Sequence, residues 1–129
     1  MKYQTKELAI TVHPKNILEM CPREMDAFSV DEVENNLAML KKAANNKKAA
    51  TLVHVPNIYI KKELLKRYSD VDYVISTALL VNSFASKLIG NLFISVILRF
   101  NSRQVPTKLF TDKGLAIKWL EKQLEKKGL

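Results

Sequence analysis

The fold is decided by the stretch from Tyr73 to Leu120, which reads YVISTALLVNSFASKLIGNLFISVILRF, then NSRQ, then VPTKLFTDKGLAIKWL. Apolar residues fall on both faces of residues 74–81, a pattern typical of a strand in the middle of a sheet that is covered on both sides. A polar pair, Asn82 and Ser83, ends this strand, and Ser83 is placed to cap the helix that follows. The stretch therefore predicts strand, helix, strand and helix in succession.

Two amphipathic patterns fill the rest of this stretch. The helix after Ser83 is predicted to turn a core face inward, with apolar residues at helical spacing: Ala85, Leu88, Ile89, Leu92, Phe93, Val96, Ile97 and Phe100. Residues 101–104 predict a turn, and Val105 to Phe110 predict a strand with Pro106 near its start, which suits an edge. We expect Thr111 to cap the last helix, and we expect Leu80 and Trp119 to lie in the core.

A membrane-spanning interpretation of residues 73–100 fails on polarity. A spanning helix needs about 20 mainly apolar residues in a row. Residues 73–100 carry two full charges, Lys87 and Arg99, and polar residues interrupt them at Asn82, Ser83, Ser86 and Asn91. The sequence therefore predicts no transmembrane segment.

Earlier in the chain, residues 7–12 alternate between polar and apolar, and a turn at His13 to Asn16 leads into a second strand, Ile17 to Cys21. A capping box at Ser29 and Glu32 predicts a helix that ends at Asn45. Ala49 to Val55 predicts a third strand, and Ile60 to Tyr68 a short helix. The predicted order is β-β-α-β-α-β-α-β-α: one α/β domain over residues 1–129, with a mainly parallel five-stranded sheet and helices packed on it.

The first residues and the cysteine count indicate the compartment in which the protein works. The first eight residues lack the apolar stretch of a signal peptide, and a lone cysteine, Cys21, excludes an internal disulfide and a cysteine-based zinc site. We therefore expect a cytoplasmic protein.

The charge is basic and uneven. The net charge is +8; residues 1–34 carry 4 basic and 7 acidic side chains, residues 35–73 carry 8 and 3, and residues 74–129 carry 9 and 3. Such a surface suits an acidic partner or a nucleic acid. Lysine dominates, and no aromatic residue is interleaved with the basic runs, which argues against nucleic acid.

Three segments carry a resemblance to a known family: STALLVNSFASKLIGNLF at 76–93, VPTKLFTDKGLAIKWL at 105–120 and, more weakly, SVDEVENNLAMLKKAANNKKAATLVHVPN at 29–57. The order of elements resembles the STAS fold of the sporulation anti-anti-sigma factor. More closely, the chain is similar to small bacterial SpoIIAA-like proteins of unknown function. The resemblance implies a non-catalytic module that binds an unknown protein partner.

The chain departs from that family at the turn whose phosphorylation regulates STAS anti-anti-sigma factors. STAS anti-anti-sigma factors carry a phosphorylatable Ser or Thr where their second crossover helix starts, and here the turn reads VPNIY over residues 55–59. The smaller group tends to have an aspartate at the position of His54 and an acidic residue at that of Gly114. We therefore predict no phosphorylation-driven partner release at residues 55–59.

Catalytic and metal signals are weak. Neither His13 nor His54 has a Cys, Asp or Glu at metal-ligand spacing, so both are interpreted as structural, and we predict no metal and no cofactor. The chain has three glycines and no nucleophile elbow, phosphate loop or dinucleotide fingerprint, so we expect no enzyme.

Two sites are predicted on the helix after Ser83. Its free amides and Lys87 suit an anionic small molecule or a lipid headgroup, at Asn82, Ser83, Ser86 and Lys87; a plain helix cap is the alternative. A second stripe, Lys87, Asn91, Ile94 and Leu98, becomes apolar at Ile94 and Leu98. Those two could cover the loop at 101–104, or they could form a symmetric homodimer.

Overall fold

The computed structural model describes residues 1–23, 28–56, 60–100 and 105–129, apart from the side chains of 96–100. The strands are β1 (Lys2–Gln4), β2 (Leu8–His13), β3 (Ile17–Pro22), β4 (Ala49–His54), β5 (Val74–Leu80) and β6 (Thr107–Phe110). The helices are α1 (Val33–Ala44), α2 (Lys62–Ser69), α3 (Phe84–Phe100) and α4 (Lys113–Lys126). No helix in these ranges is long and apolar enough to cross a bilayer, as predicted.

The six strands form one mixed sheet in the order β1-β2-β3-β4-β5-β6. β1 with β2 and β2 with β3 pair antiparallel, and the three remaining pairs are parallel. The α/β class is confirmed, but the mixed sheet has six strands and not the five that we predicted. Sequence analysis missed β1 because three residues, KYQ, are too short to show a period.

The helices divide unequally between the two faces of the sheet. Because side chains alternate along a strand, odd and even positions of β3 face opposite ways. On one face, α4 packs against a cluster formed by Ile17, Ala50, Leu52 and Ala78 with Ala116, Leu120 and Leu124. On the other face, α1 covers Leu8, Ile10, Leu18 and Met20. The other two helices share the face of α1, so α4 is the one helix of the described residues that covers the opposite side.

Leu80 and Trp119 are not core residues, which corrects our prediction. Both are partly buried at the margin of the α4 cluster, whereas their neighbours Leu79 and Leu120 are fully buried. Leu80 ends its strand, and Trp119 packs at the side of α4 with its ring 5.6 Å from that of Phe110.

Two of the three predicted helix caps, those at Ser29 and Thr111, differ from the structure. The Ser29 hydroxyl accepts a hydrogen bond from the amide of Asp31 and begins a single 3-10 turn before α1. The Ser29 amide donates to the Glu7 carboxylate at 2.9 Å, so Glu7 takes the role that we gave to Glu32. At α4 the cap is the Asp112 carboxylate, which accepts from the Leu115 amide, and not Thr111. A carboxylate is favoured there because it also complements the helix dipole.

The inward face of α3 is also different from the one predicted. Leu88 and Leu92 are exposed, whereas Ser86 and Gly90 are buried. A Cβ atom at Gly90 would lie 2.8 Å from the Leu109 side chain of β6, so the absence of a side chain lets the helix approach the sheet. The residues of α3 itself are apolar on nearly all sides of the helix. The small size of Ser86 and Gly90, and not apolarity, therefore determines which side is buried.

Candidate functional site

A buried carboxylate, that of Glu19 in β3, is the centre of the candidate site. Its side chain is 7% exposed and faces the α4 side of the sheet. The Oε1 atom lies 2.7 Å from His13 Nε2, and the Oε2 atom lies 2.6 Å from His54 Nε2. The Lys113 ammonium lies 3.0 Å from Oε2. Three nitrogen groups from three different elements thus surround one carboxylate.

Strand pairing brings these groups together. Thr11 pairs with Glu19 across the β2–β3 hairpin, and His13 lies one pleat further along the same face. In the parallel β3–β4 pair Met20 is opposite Val53, which puts His54 beside Cys21. Glu19 and Cys21 share a face because side chains alternate along β3. Lys113 is the first residue of α4.

The charges of the site follow from these contacts. Burial alone would raise the pKa of Glu19, but hydrogen bonds from His13, His54 and Lys113 outweigh it and lower the pKa to about 2. The carboxylate is therefore ionised at neutral pH and accepts only. Each histidine must then carry a proton on Nε2.

The thiol of Cys21 is held in its protonated form. Burial raises its pKa, the negative charge of Glu19 raises it further, and Lys113 opposes both effects in part. Nucleophilic cysteines have a lowered pKa in an electropositive setting. The geometry therefore argues against a thiolate nucleophile at Cys21.

A second polar network ties the turn between β1 and β2 to α1 and α2 on the opposite face of the sheet. The Asn36 amide group donates to Glu7 Oε1 at 2.8 Å and to the Tyr68 hydroxyl at 2.9 Å, and its oxygen accepts from Thr5 at 2.6 Å. Glu7, Asn36 and Thr5 are buried. Burial raises the pKa of Tyr68, which keeps its hydroxyl neutral. These bonds satisfy one another and have a structural role.

The predicted anion site at the start of α3 has its amides already partnered. The buried Ser86 hydroxyl accepts from the amides of Asn82 and Ser83 at 3.2 and 3.1 Å. The Ser83 hydroxyl accepts from the Ser86 amide, which confirms Ser83 as a cap. The Lys87 amide donates to the Ser83 carbonyl. Ligand binding at these four residues is not tested by this geometry and stays a prediction.

The predicted dimer residues are only partly placed. Ile94 is half-buried, and the side chain of Leu98 lies outside the described residues, so that interface stays a prediction. A different set is exposed on α3: Phe84 at 78%, Leu88 at 55% and Leu92 at 41%. These three lie four residues apart on one face of the helix, and we call them the α3 stripe.

Sequence reasoning missed both the Glu19 cluster and the α3 stripe. The alternation of side chains along the two strands of the predicted hairpin could have placed His13 near Glu19. No linear spacing could have placed His54 there, because its position depends on the β3–β4 register. The α3 stripe was hidden because two of its residues, Leu88 and Leu92, were assigned to the core.

One comparison with known proteins places the chain in a family. The family described as Domain of unknown function (DUF7793) matches residues 10–124, from β2 to near the end of α4. No curated protein and no solved structure matches the chain significantly. The match spans most of the sheet and all four helices, and so the chain belongs to the DUF7793 family.

Proposed function

We propose that the protein is a non-catalytic, STAS-like interaction module that binds a partner protein through the α3 stripe. The observation that carries the proposal is the exposure of Phe84, Leu88 and Leu92 on one helix face. Single exposed apolar residues are normal on protein surfaces. Three large ones in consecutive turns form a contiguous patch, and such patches mark interaction sites.

The surroundings of the stripe indicate the chemistry of the partner. α2 packs beside α3, and residues 61–69 carry four basic side chains and one acidic one. Lys87 is exposed on α3 itself, within one turn of Leu88. A partner with an apolar centre and an acidic margin would complement this surface. A second copy of the chain would bring the same positive charges together, so we favour a different protein over a homodimer.

The family resemblance supports the remaining parts of the proposal. The sequence segments at 29–57, 76–93 and 105–120 resemble small bacterial SpoIIAA-like proteins, and on that ground we propose a regulatory role in a bacterial cytoplasm. The turn at 55–59 lacks Ser and Thr, so we propose a partner whose binding is not released by phosphorylation there.

The test begins with a photoreactive phenylalanine analogue at position 84, expressed in native cells, and with the same analogue at Leu115 as the control. Leu115 is an exposed apolar residue of α4. The protein captured at position 84 alone is then purified, and its affinity is measured by calorimetry. Leu88→Asp should weaken binding at least about tenfold, because a buried apolar anchor contributes about 2 kcal/mol or more. Leu115→Asp should leave the affinity unchanged.

Other results would replace this proposal. Capture of a second copy from position 84, with a dimer in sedimentation that Leu88→Asp dissociates, would make the stripe a homodimer interface. Binding to anionic vesicles that depends on Leu88 would make it a lipid-binding surface. A purified partner that binds Leu88→Asp and Leu115→Asp equally well would contradict the proposal that the α3 stripe is the binding surface.

A further inference from the structure

We propose that Glu19, Cys21 and His54 bind one divalent transition-metal ion, with Zn²⁺ as the ion that best fits the donors. This proposal departs from our prediction of no metal and no cysteine-based zinc site, which rested on the number and the linear spacing of Cys and His and not on their positions in the sheet. The ligand atoms of these three residues all lie within 4.8 Å of one another. They offer one carboxylate oxygen, one sulfur and one imidazole nitrogen. This set of donors suits Zn²⁺ and its neighbours in the transition series, whereas Mg²⁺ and Ca²⁺ prefer oxygen alone.

The convergence of rare residues is the main argument. The chain of 129 residues contains two histidines and one cysteine. Both histidines contact the same buried carboxylate, and the cysteine lies beside it on the same strand face. A carboxylate in need of hydrogen bonds could take them from any donor, such as Ser, Thr or Asn. Gathering every imidazole and the thiol at one carboxylate is what a mixed metal site requires.

The geometry needs only a local adjustment to hold the ion. Zinc binds sulfur at about 2.3 Å and imidazole nitrogen and carboxylate oxygen at about 2.0 Å. The sulfur must therefore move roughly an ångström closer to the other two donors, whereas Oε2 of Glu19 and Nε2 of His54, which are 2.6 Å apart, must separate to about 3.3 Å. His13 remains on Oε1 of Glu19, on the other side of the carboxylate. A histidine that donates to a ligating carboxylate orients it and raises affinity. His13 is therefore a positioning residue in this site.

Binding displaces two protons and one ammonium. Cys21 releases its S–H proton to solvent and binds as thiolate, and the proton on His54 Nε2 moves to Nδ1 so that Nε2 can ligate. Lys113 now lies on Oε2, where the ion would bind. Its side chain is 48% exposed, so the ammonium can turn into water. Thiolate and carboxylate together then neutralise the charge of the ion.

The test uses Co²⁺ as a spectroscopic probe of the purified, reduced full-length chain. One equivalent of Co²⁺ should give visible d–d bands and a near-ultraviolet thiolate charge-transfer band, which a single cysteine assigns to Cys21. The band should vanish in Cys21→Ser. His54→Gln should weaken Co²⁺ binding more than about 100-fold, since even outer partners of ligands change affinity 10- to 100-fold. Zn²⁺ should displace Co²⁺ and raise the melting temperature.

A substitution of Lys113 distinguishes a metal site from a cluster that is held only by hydrogen bonds. Lys113→Gln removes the competing cation and should tighten Co²⁺ binding roughly tenfold, an effect of the size that outer partners have. Lys118→Gln, an exposed lysine of the same helix, should leave the affinity unchanged. The proposal is overturned by absence of a charge-transfer band, by a band that survives Cys21→Ser, or by weaker binding in Lys113→Gln.

Discussion

The ammonium of Lys113 lies 3.0 Å from Oε2 of Glu19 and so joins the first turn of α4 to the middle of β3. Exposed ion pairs contribute little to stability, but the carboxylate in this pair is almost fully buried. Removing a donor from a buried charge costs far more than the pair gains at a surface. The position of α4 and the ionisation of Glu19 are therefore linked.

Acid should destabilise the metal-free protein through Glu19. Its folded pKa is about 2 against an ordinary 4.5, so the unfolded chain takes up the proton first as the pH falls. The stability from this group is complete above pH 4.5 and is lost towards pH 2. The shift corresponds to a loss on the order of 3 kcal/mol.

The measurement is urea unfolding with a chelator at neutral pH, near pH 4.5 and near pH 2. Glu19→Gln should be less stable at neutral pH and should lack this part of the acid loss. Glu63→Gln, at an exposed position of α2, is the control and should follow the wild type. An acid profile that is the same for Glu19→Gln and for the wild type would refute the assignment.

Asn36 should be among the polar residues that matter most for stability. Asn36→Leu leaves Glu7 Oε1 without this donor and removes a partner from the Tyr68 hydroxyl. An unsatisfied buried group costs about 1–3 kcal/mol, and more when it is charged. Calorimetric unfolding should show at least that loss, whereas Asn35→Ala on the exposed side of α1 should stay close to the wild type.

Tyr68→Phe provides the double-mutant cycle for that network. Its loss should be smaller in the Asn36→Leu background than in the wild type, because the shared bond is already absent. Additive losses would mean that the two side chains do not interact.

Leu79 and Leu80 are adjacent in β5 and face opposite sides of the sheet, so they form a matched pair. Leu79 is fully buried, and Leu79→Ala should cost about 2–5 kcal/mol of unfolding free energy. Leu80 is partly exposed at the margin of the α4 cluster, so Leu80→Ala should cost clearly less. Equal losses in chemical denaturation would contradict the burial described for β5.

Ser86 should stabilise the start of α3. Ser86→Ala deprives the amides of Asn82 and Ser83 of their acceptor, and the position is fully buried. The expected loss is about 1–3 kcal/mol in a thermal or urea melt. Ser95→Ala, exposed on the same helix, should change stability by less than about 0.5 kcal/mol. Similar values for both variants would show that the Ser86 hydroxyl does not support the turn.

Periodicity predicted most of the elements but not which faces they bury. The hairpin, the buried β5 and the four helices follow from local patterns that a short window contains. The buried face of α3 does not follow from such a pattern, because the helix has apolar residues on nearly all sides and the small size of Ser86 and Gly90 determines the packing. The Glu19 site depends on the register between strands and on the docking of α4, which are properties of the whole chain.

The order of strands in the sheet is the order of strands in the chain, and this has a consequence for folding. Each strand pairs with the one made before it, so the sheet can grow at one edge during synthesis, and each parallel pair can form once its crossover connection has been made. The face of the sheet beneath α4 cannot be completed in this way, because Ile17, Ala50 and Leu52 remain exposed to solvent until residues 113–126 are synthesised. A chain arrested before Lys113 would present a nearly finished sheet with a bare apolar side, the kind of intermediate that aggregates and engages chaperones.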